Sequence, residues 1–153
     1  MVTELSCYWD NNDHYYFINV TTGGYGITLE GIKNYAYLCG LLNSRLLDFY
    51  FKRVTTTFRS GYFAANKQYI EQLPIRTIDF TDPADVARHD RMVGLVERML
   101  ELHRQLSVAK TPQSKRLLQQ QIDLTDQAID ALVYELYGLT EEEIAIIEGA
   151  DDA

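Results

Sequence analysis

The sequence predicts an α+β chain: a small mixed α/β region followed by an antiparallel helical hairpin. Three observations lead there. Short runs rich in aromatic and β-branched residues, broken by Asp, Asn and Gly, fill the opening part of the 153 residues. Asp82–Pro83 then opens two long stretches with heptad spacing. The link between them is short and contains a Pro, which favours antiparallel neighbours. The boundary falls at DFTDP (Asp79–Pro83), so residues 1–78 and 79–153 read as two regions.

In the first region Cys7–Trp9 and Tyr15–Val20 have strand character, separated by the turn-forming Asp10–Asp13. Thr21–Gly26 (TTGGYG) lacks the strand and helix that flank a dinucleotide-binding loop, and reads as a turn. A helix capped by Asn34 follows, with Tyr35, Leu38, Leu41, Leu42, Leu46, Phe49 and Val54 inward. Asn43, Ser44, Arg45, Asp48 and Lys52 fall largely on its other face. The β-branched Thr55–Thr57 end it, and Phe58–Phe63, with Gly61, reads as a bent strand. Asn66 caps a short turn, KQYIEQ, with Ile70 and Leu73 inward; Pro74–Ile78 is an extended exit.

The second region starts with an Asp cap and a Pro at the first helical position. Met92, Val96, Met99, His103 and Leu106 form one seam. Leu118, Ile122, Thr125, Ile129, Leu132 and Leu136 form the other, on a helix from about Ser114 to Tyr137. His103 reads as a packing histidine. Gly138 is a C-cap, and Thr140 with Glu143 makes a capping box for a last helix. Leu139, Ile144 and Ile147 are expected to fold back as a lid.

With 46% apolar residues the chain has enough for a core. Nothing approaches a membrane span of ~20 apolar residues. No secretory signal pattern opens the chain. Cys7 and Cys39 have no metal-ligand spacing, and Cys39 reads as a reduced core residue, so the expected compartment is cytoplasmic. Charge divides the chain: residues 1–77 hold 7 basic and 6 acidic side chains, residues 78–153 hold 7 and 16. The acidic half repels phosphate. Arg45, Lys52, Arg53, Arg59, Lys67 and Arg76 stand close together, with only Asp48 and Glu71 against them. Basic residues beside Thr, Asn, Gln and Tyr suit phosphate and base edges, though a solvated surface has the same composition. No Walker loop, CxxC pair, HExxH or GxSxG occurs, and His14, His89 and His103 are scattered.

YLCGLLNSRLLDFYFKRV, then TTTFRSGYFAANKQYIEQLPI, then LVYELYGLTEEEIAIIEG give the chain a family likeness over about residues 37–149. It resembles the TaqI-like C-terminal specificity domain of type IIG restriction–modification enzymes and related adenine-specific DNA methyltransferases. More distantly it is similar to half of a type I specificity subunit. The resemblance implies a target recognition domain that reads double-stranded DNA, here its C-terminal part in residues 1–78, with the hairpin as a spacer. It also implies a longer parent, whose methyltransferase domain is this chain's partner, binds S-adenosylmethionine and, in some members, is joined by a nuclease. This chain has neither the NPPY-type motif nor a cofactor loop, so it is expected to be non-catalytic and without a cofactor of its own. By the same resemblance Arg45, Lys52, Arg53, Thr57, Arg59, Tyr62, Asn66, Lys67 and Gln68 face DNA. Lys52, Arg53 and Lys67 would meet phosphates, Arg59 a phosphate or a guanine edge, and Tyr62 a sugar or flanking base. The rival reading is a helical interaction or dimerisation module, acting through the hairpin without DNA.

Overall fold

The computed structural model describes residues 3–8, 27, 34–57 and 61–149. Six helices follow in order among them: α1 (Tyr35–Leu42), α2 (Arg45–Val54), α3 (Lys67–Ile70), α4 (Pro83–Val108), α5 (Pro112–Tyr137) and α6 (Glu141–Gly149). Helix accounts for 69% of the described residues and strand for 2%, with no sheet. The α+β expectation is therefore corrected to a mostly helical fold. The strand expected over Tyr15–Val20 and the turns at Asp10–Asp13 and Thr21–Gly26 lie outside the described residues.

Where strand-like sequence is described, side chains replace the neighbouring strand. Leu5 donates its N–H to Asp48 Oδ1 at 2.6 Å. The Cys7 N–H reaches Asn43 Oδ1 at 2.8 Å, and Asn43 Nδ2 returns to the Cys7 carbonyl at 3.0 Å. The backbone of this segment is thus satisfied by polar groups of the helices, which leaves no need for a ladder. Of the strand expected over Phe58–Phe63, residues 58–60 lie outside the described ones; among the described residues an isolated antiparallel bridge joins Thr57 with Phe63.

The single helix expected after Asn34 is two. Asn43 and Ser44 break it: Ser44 leaves helical geometry (φ −77°, ψ 151°) and caps α2, its hydroxyl accepting the Leu47 N–H at 3.4 Å. Ser and Asn compete for backbone hydrogen bonds, which is why a break settles there. Across it the buried face changes. In α1 nearly every residue from Ala36 to Leu42 is buried, with Tyr35 exposed; in α2 it is Leu47 and Phe51, while Leu46, Phe49 and Val54 are half-buried. Gly40 lets α1 press onto α4: a Cβ there would stand 2.4 Å from Met92 Sδ and 3.0 Å from Val96 Cγ2.

The hairpin forms as its caps suggest. Asp82 accepts the Ala84 N–H at 2.9 Å, and Thr111 accepts the Ser114 N–H at 3.1 Å, each followed by a Pro that has no N–H to lose. Arg88 near the start of α4 pairs with Glu135 near the end of α5 at 2.9 Å, so the two run antiparallel. Met92 and Val96 share one buried cluster with Ile129, Leu132 and Leu136, and Ile122 and Thr125 are buried further along α5. Toward the far end Leu102 is buried and His103 is exposed, contrary to the packing role expected of it. An apolar side chain gains from burial, whereas an imidazole without a partner loses hydration. Gly138 ends α5 in the left-handed region (φ 65°), and the Thr140–Glu143 box starts α6, whose Ile147 is buried.

One cluster of buried side chains joins both regions. It runs from Leu41, Leu47, Phe51 and Leu73 to Met92, Val96, Ile129, Leu132 and Leu136. Two polar links tie its rim. The Asp130 carboxylate accepts the Arg45 N–H at 2.9 Å and pairs with its guanidinium at 3.3 Å, so α5 caps α2 from outside. Tyr37 and Tyr137 hold the exit segment, Tyr37 donating to the Arg76 carbonyl at 2.9 Å while Tyr137 accepts the Arg76 N–H at 3.1 Å. Burial pushes the Tyr37 phenol up to about 12, keeping it a donor.

Leu132 is 1% exposed, and Leu132→Ala is expected to lower unfolding free energy by about 2–5 kcal/mol in denaturant titration. Asp130 makes a pH prediction. Burial raises its carboxyl from 3.8 to about 6, the Arg45 amide opposing. The folded chain thus binds this proton more tightly than the unfolded chain. Its contribution to stability is complete below 3.8 and is lost as pH rises through about 6. Asp130→Asn, which keeps an acceptor for the Arg45 N–H, should flatten the stability slope across that window in denaturant titrations at stepped pH.

Candidate nucleic-acid interface

The loop from Thr55 to Ala64 is clamped at its base. The Ala64 N–H donates to the Thr56 carbonyl at 3.1 Å, and Thr55 Oγ1 donates to the Ala64 carbonyl at 2.7 Å. The Thr57–Phe63 bridge adds a rung, and Gly61 turns the chain at φ 76°. Phe63 anchors the loop by setting its ring against Phe51 at 6.4 Å, edge on. Thr56 and Tyr69 share a hydroxyl–hydroxyl hydrogen bond that ties the loop to α3. The base of the loop is thus held in place, with Thr57, Gly61 and Tyr62 exposed beside it.

Of the residues expected to face DNA, the structure brings Thr57, Tyr62, Lys67 and Gln68 to this loop and its adjoining turn. All four are exposed, Tyr62 by 43%. Arg59 lies outside the described residues, as do Phe58 and Ser60. Asn66 stands at the start of α3, where its carbonyl accepts the Tyr69 and Ile70 N–H groups. Its side chain makes no cap bond, however, and its Oδ1 is buried without a partner, so the expected side-chain cap is corrected to a backbone one.

The basic side chains differ from one another. Arg45 sits at the opposite end of α2 from the loop, bound to Asp130. Lys52 pairs with Asp48 at 2.6 Å, one turn back on α2. Lys67 pairs with Glu71 at 3.2 Å, with both side chains well exposed, 76% and 61%. Arg53 lays its guanidinium over the Phe49 ring at 3.2 Å and donates to the Phe49 carbonyl at 3.0 Å. Among the described residues it has no carboxylate partner. Arg76 is held away from any such surface: Asp85 takes its guanidinium at 2.9 and 3.1 Å. The Asp79 amide and then the Arg76 guanidinium hold the Asp85 carboxyl below the usual carboxylate range.

The cluster of unpaired cations that the sequence suggests is thus mostly paired off. Exposed pairs spaced four apart are worth only about 0.3–0.5 kcal/mol, so Lys67 changes partner at little cost. Arg53 and Lys67 are the described cations best placed beside the loop, both near exposed hydroxyl and amide groups. Sequence reasoning missed the acids that neutralise the rest; Asp48 was legible as an i−4 neighbour of Lys52, but Asp85 and Asp130 meet their partners only through the fold. Among the described residues no three His, Cys, Asp or Glu side chains converge as metal ligands, and no helix is long and apolar enough to cross a membrane.

Comparison with known proteins bears on the same stretch. No curated protein and no solved structure matches the chain. The family model of the TaqI-like C-terminal specificity domain matches residues 2–75. The match takes in Leu5–Tyr8, upstream of where the likeness was read, and stops before the hairpin, which the likeness had included. Over the residues that build α1, α2, the clamped loop and α3, the chain is similar to the TaqI-like C-terminal specificity domain family.

Proposed function

We propose that this chain is the DNA-reading piece of a restriction–modification enzyme or adenine-specific DNA methyltransferase, holding duplex DNA for a separate catalytic domain of the same polypeptide. The family match over residues 2–75 carries the reading, since specificity domains of this kind serve DNA sequence recognition in restriction–modification systems. The clamped loop supplies a rigid base with exposed Thr57, Tyr62, Lys67 and Gln68. Arg53 and Lys67 contact phosphates, and the hairpin sets the angle at which the loop meets the duplex. Adenine must leave the base stack to be methylated, so that angle selects the base that is reached. The chain transfers no methyl group itself: its sequence has no NPPY motif and no cofactor loop, and S-adenosylmethionine belongs to the parent's methyltransferase domain.

A second reading, self-association through the hairpin, draws on one observation. Leu117 and Leu124 lie one heptad apart on α5 and are 53% and 57% exposed. Sedimentation over a range of concentrations decides it: dimerisation lost in Leu117→Glu supports that reading, and a monomer throughout removes it.

Titration of duplex DNA at several salt concentrations tests the main proposal. Binding should weaken by about 0.9 log units per log unit of salt for each phosphate contact. Arg53→Ala and Lys67→Ala should each reduce that slope by about 1, uniformly across sequences. Arg45→Ala, which removes a partner of Asp130, should leave the slope unchanged. Absence of DNA binding, or binding indifferent to salt, counts against the proposal.

A further inference from the structure

We propose that Cys7 and Cys39 are a redox pair, and that a disulfide between them staples the N-terminal segment to α1. The two are remote in sequence but share one polar clasp. The Cys39 thiol donates to the Cys7 carbonyl at 3.8 Å. Asn43 fixes both partners: its Oδ1 accepts the Cys7 N–H at 2.8 Å, and its Nδ2 donates to the Cys7 carbonyl at 3.0 Å. The same Nδ2 reaches the Cys39 carbonyl at 2.9 Å and Cys39 Sγ at 3.3 Å. The Cys7 backbone is therefore held against the Cys39 side chain rather than passing by it.

Their surroundings divide the labour. Cys7 is half-buried and Cys39 is buried. Cys7 Sγ is set toward the Tyr8 carbonyl at 4.0 Å; the neighbouring Cys39 lowers the Cys7 thiol, while Cys7 and burial raise Cys39. The more accessible and more acidic thiol is the better attacking group, and the buried one is placed to resolve.

With a glutathione-type disulfide as oxidant the exchange balances. The Cys7 thiolate attacks one glutathione sulfur, the S–S bond breaks, and one glutathione thiolate leaves. Cys39 gives its proton to that thiolate and attacks the Cys7 sulfur, expelling the second glutathione. The protein dithiol is oxidised by two electrons, the glutathione disulfide is reduced to two thiols, and these take up the two protons. Closing a loop across 32 positions restricts the unfolded chain, so the oxidised form should melt higher.

The experiment incubates the chain with oxidised glutathione, blocks remaining thiols, and digests with trypsin without reductant. Lys33 lies between the two cysteines, so the tryptic peptides stay joined only through a disulfide. The expected result is a Cys7–Cys39 linked peptide, loss of both thiols within one chain, and a rise in Tm reversed by dithiothreitol. Cys39→Ser should stop at a mixed disulfide of Cys7 with glutathione, and Cys7→Ser should leave Cys39 unreactive. A lasting Cys7–glutathione adduct with Cys39 free in the unsubstituted chain overturns the proposal. So does linkage only between chains, or no oxidation at all. None of these readouts depends on DNA.

Discussion

The break between α1 and α2 is the constraint on which the rest of the fold turns. A helix running unbroken from Tyr35 to Val54 would present one apolar face to one partner. The break at Asn43–Ser44 gives two faces instead, so α1 buries itself on α4 while α2 turns Leu47 and Phe51 into the core beside α5. A break exposes backbone groups that must be satisfied. Ser44 binds Leu41 and Leu47, Asn43 binds Cys39 and the N-terminal segment, and Asp130 takes the first N–H of α2 from across the core. The direction of α2, and of the loop that leaves it, follows from these few bonds.

Legibility in the sequence tracked the range of the signal. The caps at Asp82 and Thr140, the stop at Gly138 and the α5 seam from Ile122 to Leu136 are set by neighbours a few residues apart and stand as read, while Leu118 is only half-buried. Where strand-like sequence is described, at Leu5–Tyr8, it forms no ladder for a physical reason. Aromatic and β-branched residues favour extended backbone, but a ladder also needs a partner strand, and here Asn43 and Asp48 side chains supply its hydrogen bonds. The helix break was visible in retrospect as Asn–Ser between two apolar runs, a cap signal that the count of apolar residues three and four apart overrode. His103 shows the limit of that count at the open end of the hairpin.

The reading surface was legible in composition and less so in charge. Counting Lys and Arg over residues 45–76 treats each as available, yet Arg45 and Arg76 hold the two regions together through Asp130 and Asp85. Asp130 stands 85 positions from Arg45 and Asp85 nine from Arg76, across the turn into α4, so helix spacing of three or four pairs neither. Thr57 and Tyr62 of the loop and Gln68 of α3 are exposed, as polar and amphipathic side chains outside a core usually are. On the proposed function, few phosphate contacts would leave a larger share of any discrimination to base edges and DNA shape.

The matched family segment and the hairpin are physically inseparable even though the likeness ends at Ile75. The next residue, Arg76, enters the pocket formed by Tyr37, Tyr137 and Asp85, which belong to α1, α5 and α4. Severing the chain there would expose Leu41, Leu47 and Phe51, all fully buried by the hairpin and its neighbours. Displacing α5 therefore displaces α2, because Asp130 caps it and Leu132 shares its core. On the proposed function, a connection of this kind is what would let a binding surface constrain the geometry of chemistry carried out on another domain.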